Sequence, residues 1–241
     1  YQHITYNIKK MNNVIEITGL TKIYNSSVVK VKAVNGIDIN FKEGEFTAVV
    51  GPSGSGKTTF LNMLGGLDRP TSGNVKIGGV NIWDLSSRKL IDFRMNNIGF
   101  VFQSYNLIPV LTAGENVEFI MQLQGKPKKE REQRTQELLE AVGIGDRIKS
   151  RPSKLSGGQQ QRVAVARALA SNPEFILADE PTANLDSKST NSLLELMSQI
   201  NEKYNTTFIF ATHDKRVMDK AKRIITIEDG KILKDEYFKQ A

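Results

Sequence analysis

Gly51-Pro52-Ser53-Gly54-Ser55-Gly56-Lys57-Thr58 fits the pattern G-x-x-x-x-G-K-[ST], whose chemistry is anion binding. Its glycines let successive backbone N–H groups turn inward around a phosphate, and the helix that follows adds the positive end of its dipole. Lys57 supplies a point charge to the β and γ phosphates, the Thr58 hydroxyl can ligate Mg²⁺, and Thr59 adds a phosphate contact. Chance produces such a pattern in roughly one chain in a hundred of this length. Here it also joins a predicted strand, Phe46 to Val50, to a helical stretch from Lys57 to about Leu67, which is the context the mechanism requires. A site for the phosphates of Mg-ATP is therefore expected at residues 51–59.

Two further clusters could do chemistry with a phosphate. Phe175-Ile176-Leu177-Ala178 delivers Asp179 and Glu180 side by side at a strand end, and adjacent strand residues point opposite ways. One carboxylate can then serve the metal and the other a water: Asp179 is the expected Mg²⁺ partner and Glu180 the general base. Leu155-Ser156-Gly157-Gly158-Gln159 precedes a strongly helical run, Gln160 to Ala170, with Ser156 as a good N-cap and two glycines exposing N–H groups at the helix start. This second donor cluster is either an unused cap or serves a nucleotide bound by another subunit, and sequence spacing alone leaves both open.

These residues need elements to position them. Phe46 to Val50, Ile98 to Phe102, Phe175 to Ala178 and Thr207 to Ala211 are short, nearly continuous apolar runs, as strands buried on both faces of a parallel sheet should be. They end on the glycine-rich loop, Gln103, Asp179 with Glu180, and His213, and ligands bind at the carboxyl ends of strands in such sheets. Val14 to Thr18 and Val28 to Phe41 read as an antiparallel N-terminal β lobe. Between Ala113 and Ala170 the pattern turns helical, with amphipathic segments near Ala113 to Gln124 and Lys128 to Val142, as in a helical lobe inserted into the sheet domain. From Arg223 the tail reads as two short strands around Asp229-Gly230. The expected class is α/β, with one domain over residues 14–235, a helical lobe at about 104–172, an extension at 1–13 and a tail at 236–241. Residues 1–10 carry no clear pattern and receive no function.

Composition narrows the chemistry. The 241 residues contain no cysteine and two histidines, His3 and His213, which removes thiolate zinc sites and makes a histidine metal site a poor expectation. Any metal should be held by oxygen. No apolar run approaches the roughly 20 residues that cross a bilayer, and a cytosolic location is expected. The net charge of +7 could suit a membrane face or nucleic acid. The densest basic cluster, Lys126, Lys128, Lys129, Arg131 and Arg134, is interleaved with glutamates and reads as a solvated face.

The phosphate loop, Gln103, the Leu155 to Gln159 pentapeptide, the Asp179-Glu180 pair, Asp186 and His213 follow in the order and rough spacing of the ATP-binding cassette (ABC) family, which the chain resembles from Val14 to about Asp235. The pentapeptide matches that family's signature and arises by chance in about one in several thousand chains of this size. The resemblance implies a head-to-tail homodimer in which ATP on the loop at Gly51 is completed by Ser156, Gly157, Gly158 and Gln159 of the other copy. By the same resemblance Tyr24 stacks on adenine, Gln103 senses Mg²⁺ and the attacking water, His213 contacts the γ-phosphate and holds Glu180, and Asp186 links the two sites.

Gly65 to Gly73, Phe100 to Gln103, Asn106 to Pro109 and Ser156 to Arg162 look like the branch that includes the MacB, LolD and FtsE ATPases, in which Gly114 stands where leucine is common. That branch implies an ATPase subunit on the inner face of the cell membrane, working for a membrane-spanning permease in export, lipoprotein release or peptide and drug efflux, with no nucleic-acid partner. A soluble ABC ATPase acting on DNA or ribosomes would suit the basic charge, but such proteins usually show long coiled coils, zinc cysteines or two cassettes. A P-loop kinase or GTPase leaves the pentapeptide unexplained, and no Asn-Lys-x-Asp guanine motif is present.

Overall fold

Alternate residues of the central strands face two different apolar cores. In the computed structural model, which describes residues 13–25 and 30–238, β8 (Thr207–Ala211) sends Phe208 and Phe210 to one core and Ile209 and Ala211 to the other. β7 (Phe175–Asp179) divides Ile176 and Ala178 from Phe175 and Leu177 in the same way. A strand with a core on each side must be apolar at every position, and this is why these runs show no polar alternation. Burying each such Phe, Ile or Leu stabilises the fold by about 1.5–3 kcal/mol.

Among the described residues the larger sheet has six strands in the order β10-β9-β3-β8-β7-β6. β3 (Phe46–Val50), β6 (Ile98–Phe102), β7, β8 and β9 (Arg223–Glu228) are mutually parallel, and only β10 (Lys231–Tyr237) runs against its neighbour. One face is covered by α3 (Ala113–Leu123), α4 (Lys128–Ala141), α5 (Gly157–Ala170) and α6 (Ser187–Tyr204). The other packs on α1 (Lys57–Leu64) and the four-stranded antiparallel lobe. That lobe has the order β2-β1-β4-β5, from β1 (Asn13–Asn25), β2 (Lys30–Lys42), β4 (Ser72–Ile77) and β5 (Val80–Asn81). α2 (Ser87–Asn97) leads into β6, and α7 (Lys215–Lys220) follows β8.

The expected elements form, with displaced ends. β1 runs on to Asn25 through register shifts and so carries Tyr24, and Gly36 lies inside β2. α1 stops at Leu64, where Gly65 and Gly66 follow. α5 begins at Gly157 instead of Gln160 because Ser156 caps it. Residues 1–12, Val28 with its neighbours 26, 27 and 29, and residues 239–241 lie outside the described part. The basic cluster is largely paired: Lys126 with Glu130, Lys128 with Glu132, Arg131 with Glu118, and Arg134 with Glu137. Gly114 packs so closely on residue 148 that a Cβ there would lie 2.7 Å from Ile148 Cγ1, so the leucine common in related chains would not fit without movement. Among the described residues, no helix is long and apolar enough to cross a membrane.

Candidate functional site

The carboxyl end of β3 opens into a loop that only glycine could build at two points. Gly51 has φ 150° and Gly56 φ 103°, and a Cβ on either would lie 2.0 Å from a carbonyl oxygen, of Ile227 and of Ala33 respectively. α1 then starts with no side-chain cap and no acidic residue in its first turn. The N–H groups of a first helical turn have no acceptor within the helix, so they remain available to an anion. Lys57 folds back over the loop, its Nζ donating to the carbonyls of Gly51 (2.8 Å) and Pro52 (2.9 Å). Ammonium and N–H donors thus surround one small volume.

The acidic strand end meets this loop. Thr58 Oγ1 donates to Asp179 Oδ1 at 3.1 Å. Burial pushes the Asp179 carboxyl above its ordinary value and the Glu180 charge adds to this, while the Thr58 bond and Lys57 oppose it. A hydroxyl beside a carboxylate is an oxygen-only donor pair, which suits Mg²⁺, a cation that keeps waters and takes phosphate oxygens for its remaining ligands. Among the described residues there is no cluster of three or more His, Asp or Glu side chains that could hold a metal by itself. The set fits a metal delivered with its nucleotide.

Glu180 departs from the strand reasoning. It does not alternate with Asp179 along a strand, because β7 ends at Asp179 and Glu180 has φ 45°, in the left-handed region. The turn, held by the Glu180 N–H on the Ala211 carbonyl (2.9 Å), aims its carboxylate at the end of β8. There Thr212 Oγ1 donates to Oε2 at 3.1 Å and His213 Nδ1 lies 2.6 Å from Oε1. A carboxylate only accepts, so Nδ1 carries the proton.

A cavity of about 630 Å³ is lined by Gly51, Pro52, Ser53, Gly54, Gly56, Lys57, Thr58, Thr59, Gln103, Glu180 and His213, with Ala33 at its edge. Four parallel strands thus deliver their ends to one space. A separate cavity of about 280 Å³, beside Glu43, Arg134 and Tyr204, includes none of these groups.

The remaining candidates stand elsewhere. Ser55 is buried beneath the loop. Tyr24 is outside the cavity lining, with its hydroxyl bonded to Asp68 and Lys22 Nζ 4.9 Å from its ring centre. Burial and the Asp68 carboxylate raise its pKa, and the hydroxyl of Thr59, a lining residue, opposes this. Ser156, Gly157, Gly158, Gln159 and Asp186 do not line the cavity either. Ser156 Oγ accepts from the Gln159 N–H at 3.3 Å, and Gln159 Oε1 accepts from the Ser156 N–H at 2.9 Å. Asp186 caps α6, accepting from the Ser189 N–H (2.9 Å) and hydroxyl (2.6 Å), which hold its carboxyl below the usual range. A Cβ added at Gly158 would lie 3.1 Å from Ser189 Oγ, so the two helix starts are adjacent.

Sequence reasoning missed the supports. Thr212 shares Glu180 with His213. The Asp229-Gly230 turn was visible as a hairpin, but not what it touches: the Gly230 N–H donates to the Ser55 carbonyl (3.1 Å), and the Gly230 carbonyl accepts from the Asn35 N–H (2.8 Å). The C-terminal hairpin therefore lies under the phosphate loop. Arg223 anchors its far end, buried between Glu45 (2.9 Å) and Asp235 (2.7 Å). Contacts made across such separations carry no local pattern.

Residues 34–183 match the ABC transporter family. The chain belongs to the ABC transporter family. It is 51% identical over 222 residues to an uncharacterized ABC transporter ATP-binding protein of Thermotoga maritima, covering 92% of this chain and 94% of that one. It is 46% identical to the lipoprotein-releasing system ATP-binding protein LolD 1 of Rhodopseudomonas palustris, over 92% of this chain and 99% of that protein. With the macrolide export ATP-binding/permease protein MacB of Hyphomonas neptunium it shares 47% identity over 94% of its own length but spans only 35% of that longer protein. The ABC cassette MJ0796 of Methanocaldococcus jannaschii, solved as a dimer in a post-hydrolysis state with ADP and Pi, superposes with a TM-score of 0.86 at 42% identity, covering 94% of this chain and all of that one. The parallel sheet, antiparallel lobe and helices described above are those of an ABC ATPase cassette.

Proposed function

We propose that this ABC cassette is the ATP-hydrolysing subunit of a transporter or mechanotransmission complex, coupling dimer closure on ATP to a separate membrane-spanning subunit. The observation that carries this reading is the meeting of the phosphate loop, Gln103 and the Glu180–His213 pair in one cavity, with Asp179 bonded to the lining residue Thr58 and the Ser156 helix start outside the lining.

The residues divide the work. Gly51 to Gly56 and the first turn of α1 bind the phosphates through N–H groups, with Lys57 turning from the loop carbonyls to the β and γ phosphates and Thr59 adding a contact. Thr58 and Asp179 would hold Mg²⁺, with Gln103 as a further ligand or sensor, and the metal would supply charge neutralisation at the phosphate oxygens. Glu180 orients and deprotonates the attacking water, and His213 and Thr212 fix its carboxylate. Tyr24 offers its ring to adenine beside Thr59.

Ser156, Gly157, Gly158 and Gln159 of a second, head-to-tail copy close over the γ-phosphate, and Asp186, next to that helix start, links the two sites. The catalytic unit spans about 14–235, with a helical lobe at about 104–172 facing the permease on the inner face of the cell membrane. LolD-like and MacB-like relatives make lipoprotein release or efflux the fitting cargo classes. Steady-state ATP hydrolysis by the purified chain tests the proposal: Mg²⁺-dependent release of phosphate that Lys57→Ala abolishes is expected, and phosphate release unaffected by Lys57→Ala would refute it.

A further inference from the structure

α5 carries polar groups beyond the Ser156 cap. One turn on, Gln161 is fully buried, and its Nε2 donates to the Pro181 carbonyl at 2.8 Å and the Phe102 carbonyl at 3.3 Å. Those two residues directly flank Glu180 and Gln103. Near the far end of the helix, Arg167 Nη1 donates to the Asn106 carbonyl and Nη2 to the Tyr105 carbonyl at 2.9 Å.

The turn that Arg167 grips is costly. Tyr105 has φ 58° and Asn106 φ 50°, and consecutive non-glycine residues in the left-handed region need outside contacts to hold them there. The backbone bonds recorded inside the turn are short-range ones, Tyr105 N–H to the Phe102 carbonyl and Asn106 N–H to the Ser104 carbonyl. From outside, Asn184 Nδ2 reaches the Gln103 carbonyl at 3.0 Å.

Arg167 is itself expensive. Burial pushes its pKa down, and among the described residues no carboxylate lies within ion-pair distance. Arg167 is half-buried, and a partly desolvated charge without a counterion is stabilised chiefly by dipoles aimed at it; a leucine would pack here at less cost if packing were all that was needed. A planar guanidinium can serve two adjacent carbonyls at fixed spacing, whereas an ammonium offers a single point of attachment.

We propose that Arg167 is a positioning residue for Gln103: its fork holds the 103–106 turn in the left-handed arrangement that presents Gln103 to the cavity and ties that turn to the helix starting at Ser156. A shift of the helix would then move Gln103 with it. The inference rests on the role given to Gln103 above.

The test is a double-mutant cycle of Arg167→Met with Gln103→Ala, read as kcat and KM for ATP, with thermal unfolding as the check on folding. Arg167→Met is expected to lower kcat by about ten- to a hundredfold through misplacement of Gln103, with KM and Tm little changed. Arg167→Lys should behave nearly as badly despite keeping the charge; it replaces the methionine variant in the cycle if that does not fold. In the Gln103→Ala background either change should lower kcat by less than about twofold. A Gln103→Ala protein with full turnover overturns the role of Gln103 and this proposal with it. A slow Gln103→Ala protein that loses the same factor again on Arg167 substitution overturns the role of Arg167 alone, as does a rise in KM at unchanged kcat.

Discussion

His213 Nδ1 lies 2.6 Å from Glu180 Oε1, so the ends of two neighbouring parallel strands, β7 and β8, are joined by a polar contact at the mouth of the phosphate cavity. The contact places a carboxylate and an imidazole on the lining of that cavity, where the proposed mechanism needs them beside the attacking water. Glu180 cannot relax out of this arrangement cheaply, because its other oxygen is taken by Thr212 at 3.1 Å.

Glu180→Gln should lower kcat for ATP hydrolysis by at least about a hundredfold, the usual scale for loss of a general base. The amide keeps the size of the side chain and one carbonyl oxygen, enough for His213 or Thr212 but not both, and removes none of the proposed phosphate contacts, so ATP affinity should stay within about threefold of wild type in a direct binding titration. Retention of wild-type turnover would remove Glu180 from the role of base.

Tyr24 yields a prediction in two parts. Tyr24→Ala should weaken ATP binding by about tenfold, in line with base–aromatic stacking of about 1–3 kcal/mol. Tyr24→Phe, which keeps the ring and loses only the hydroxyl that is bonded to Asp68, should bind ATP nearly as wild type. If calorimetry shows equal losses in both variants, the contribution of Tyr24 runs through Asp68 and not through adenine.

Gly230 has φ 73°, and an added Cβ would lie 2.8 Å from the Ala33 carbonyl oxygen, at the turn whose N–H holds Ser55. Gly230→Ala should cost about 1–3 kcal/mol of stability through backbone strain. The displaced loop should also raise the Kd for ATP, although residue 230 touches no part of the nucleotide in this account. A fully native Tm and Kd would show that the hairpin does not support the loop.

Asp179 gives a pH dependence. Burial raises its pKa in the folded state above the ordinary 3.8, so the folded protein binds this proton more tightly than the unfolded chain. The ionised carboxylate therefore lowers stability at neutral pH, and the stability present at low pH is lost as pH rises through the folded-state pKa. Asp179→Asn removes that burden and should raise the nucleotide-free Tm at pH 7–8, with the gain shrinking as pH falls toward 3.8. The same variant should lose most of the extra stabilisation that Mg²⁺ adds to ATP. A gain in Tm independent of pH would contradict the burial argument.

Much of this is legible in the amino-acid sequence. The strands end where apolar runs meet Gln103, Asp179 and His213, because a strand buried on both faces announces itself by continuous hydrophobicity. The glycine-rich loop was readable because its chemistry is local. What escaped was of two kinds. Glu180 leaves the strand through a left-handed turn, and the period-2 rule cannot foresee a backbone reversal at a strand end. Gly230 under Ser55, Thr212 on Glu180 and Arg167 on residues 105–106 are contacts between segments distant in sequence, where each residue obeys its own local pattern and only the closed fold brings the pair together.

The central claim is that the cavity at Gly51 is half of a site and that Ser156 of a second copy supplies the rest. The most direct measurement is the solution mass of the Glu180→Gln protein in Mg-ATP, with and without Ser156→Arg, by light scattering after size exclusion. Glu180→Gln is expected to show the mass of two 26.9 kDa chains, and Glu180→Gln with Ser156→Arg that of one chain, at equal ATP binding. A double variant that pairs as readily as the single one would contradict it.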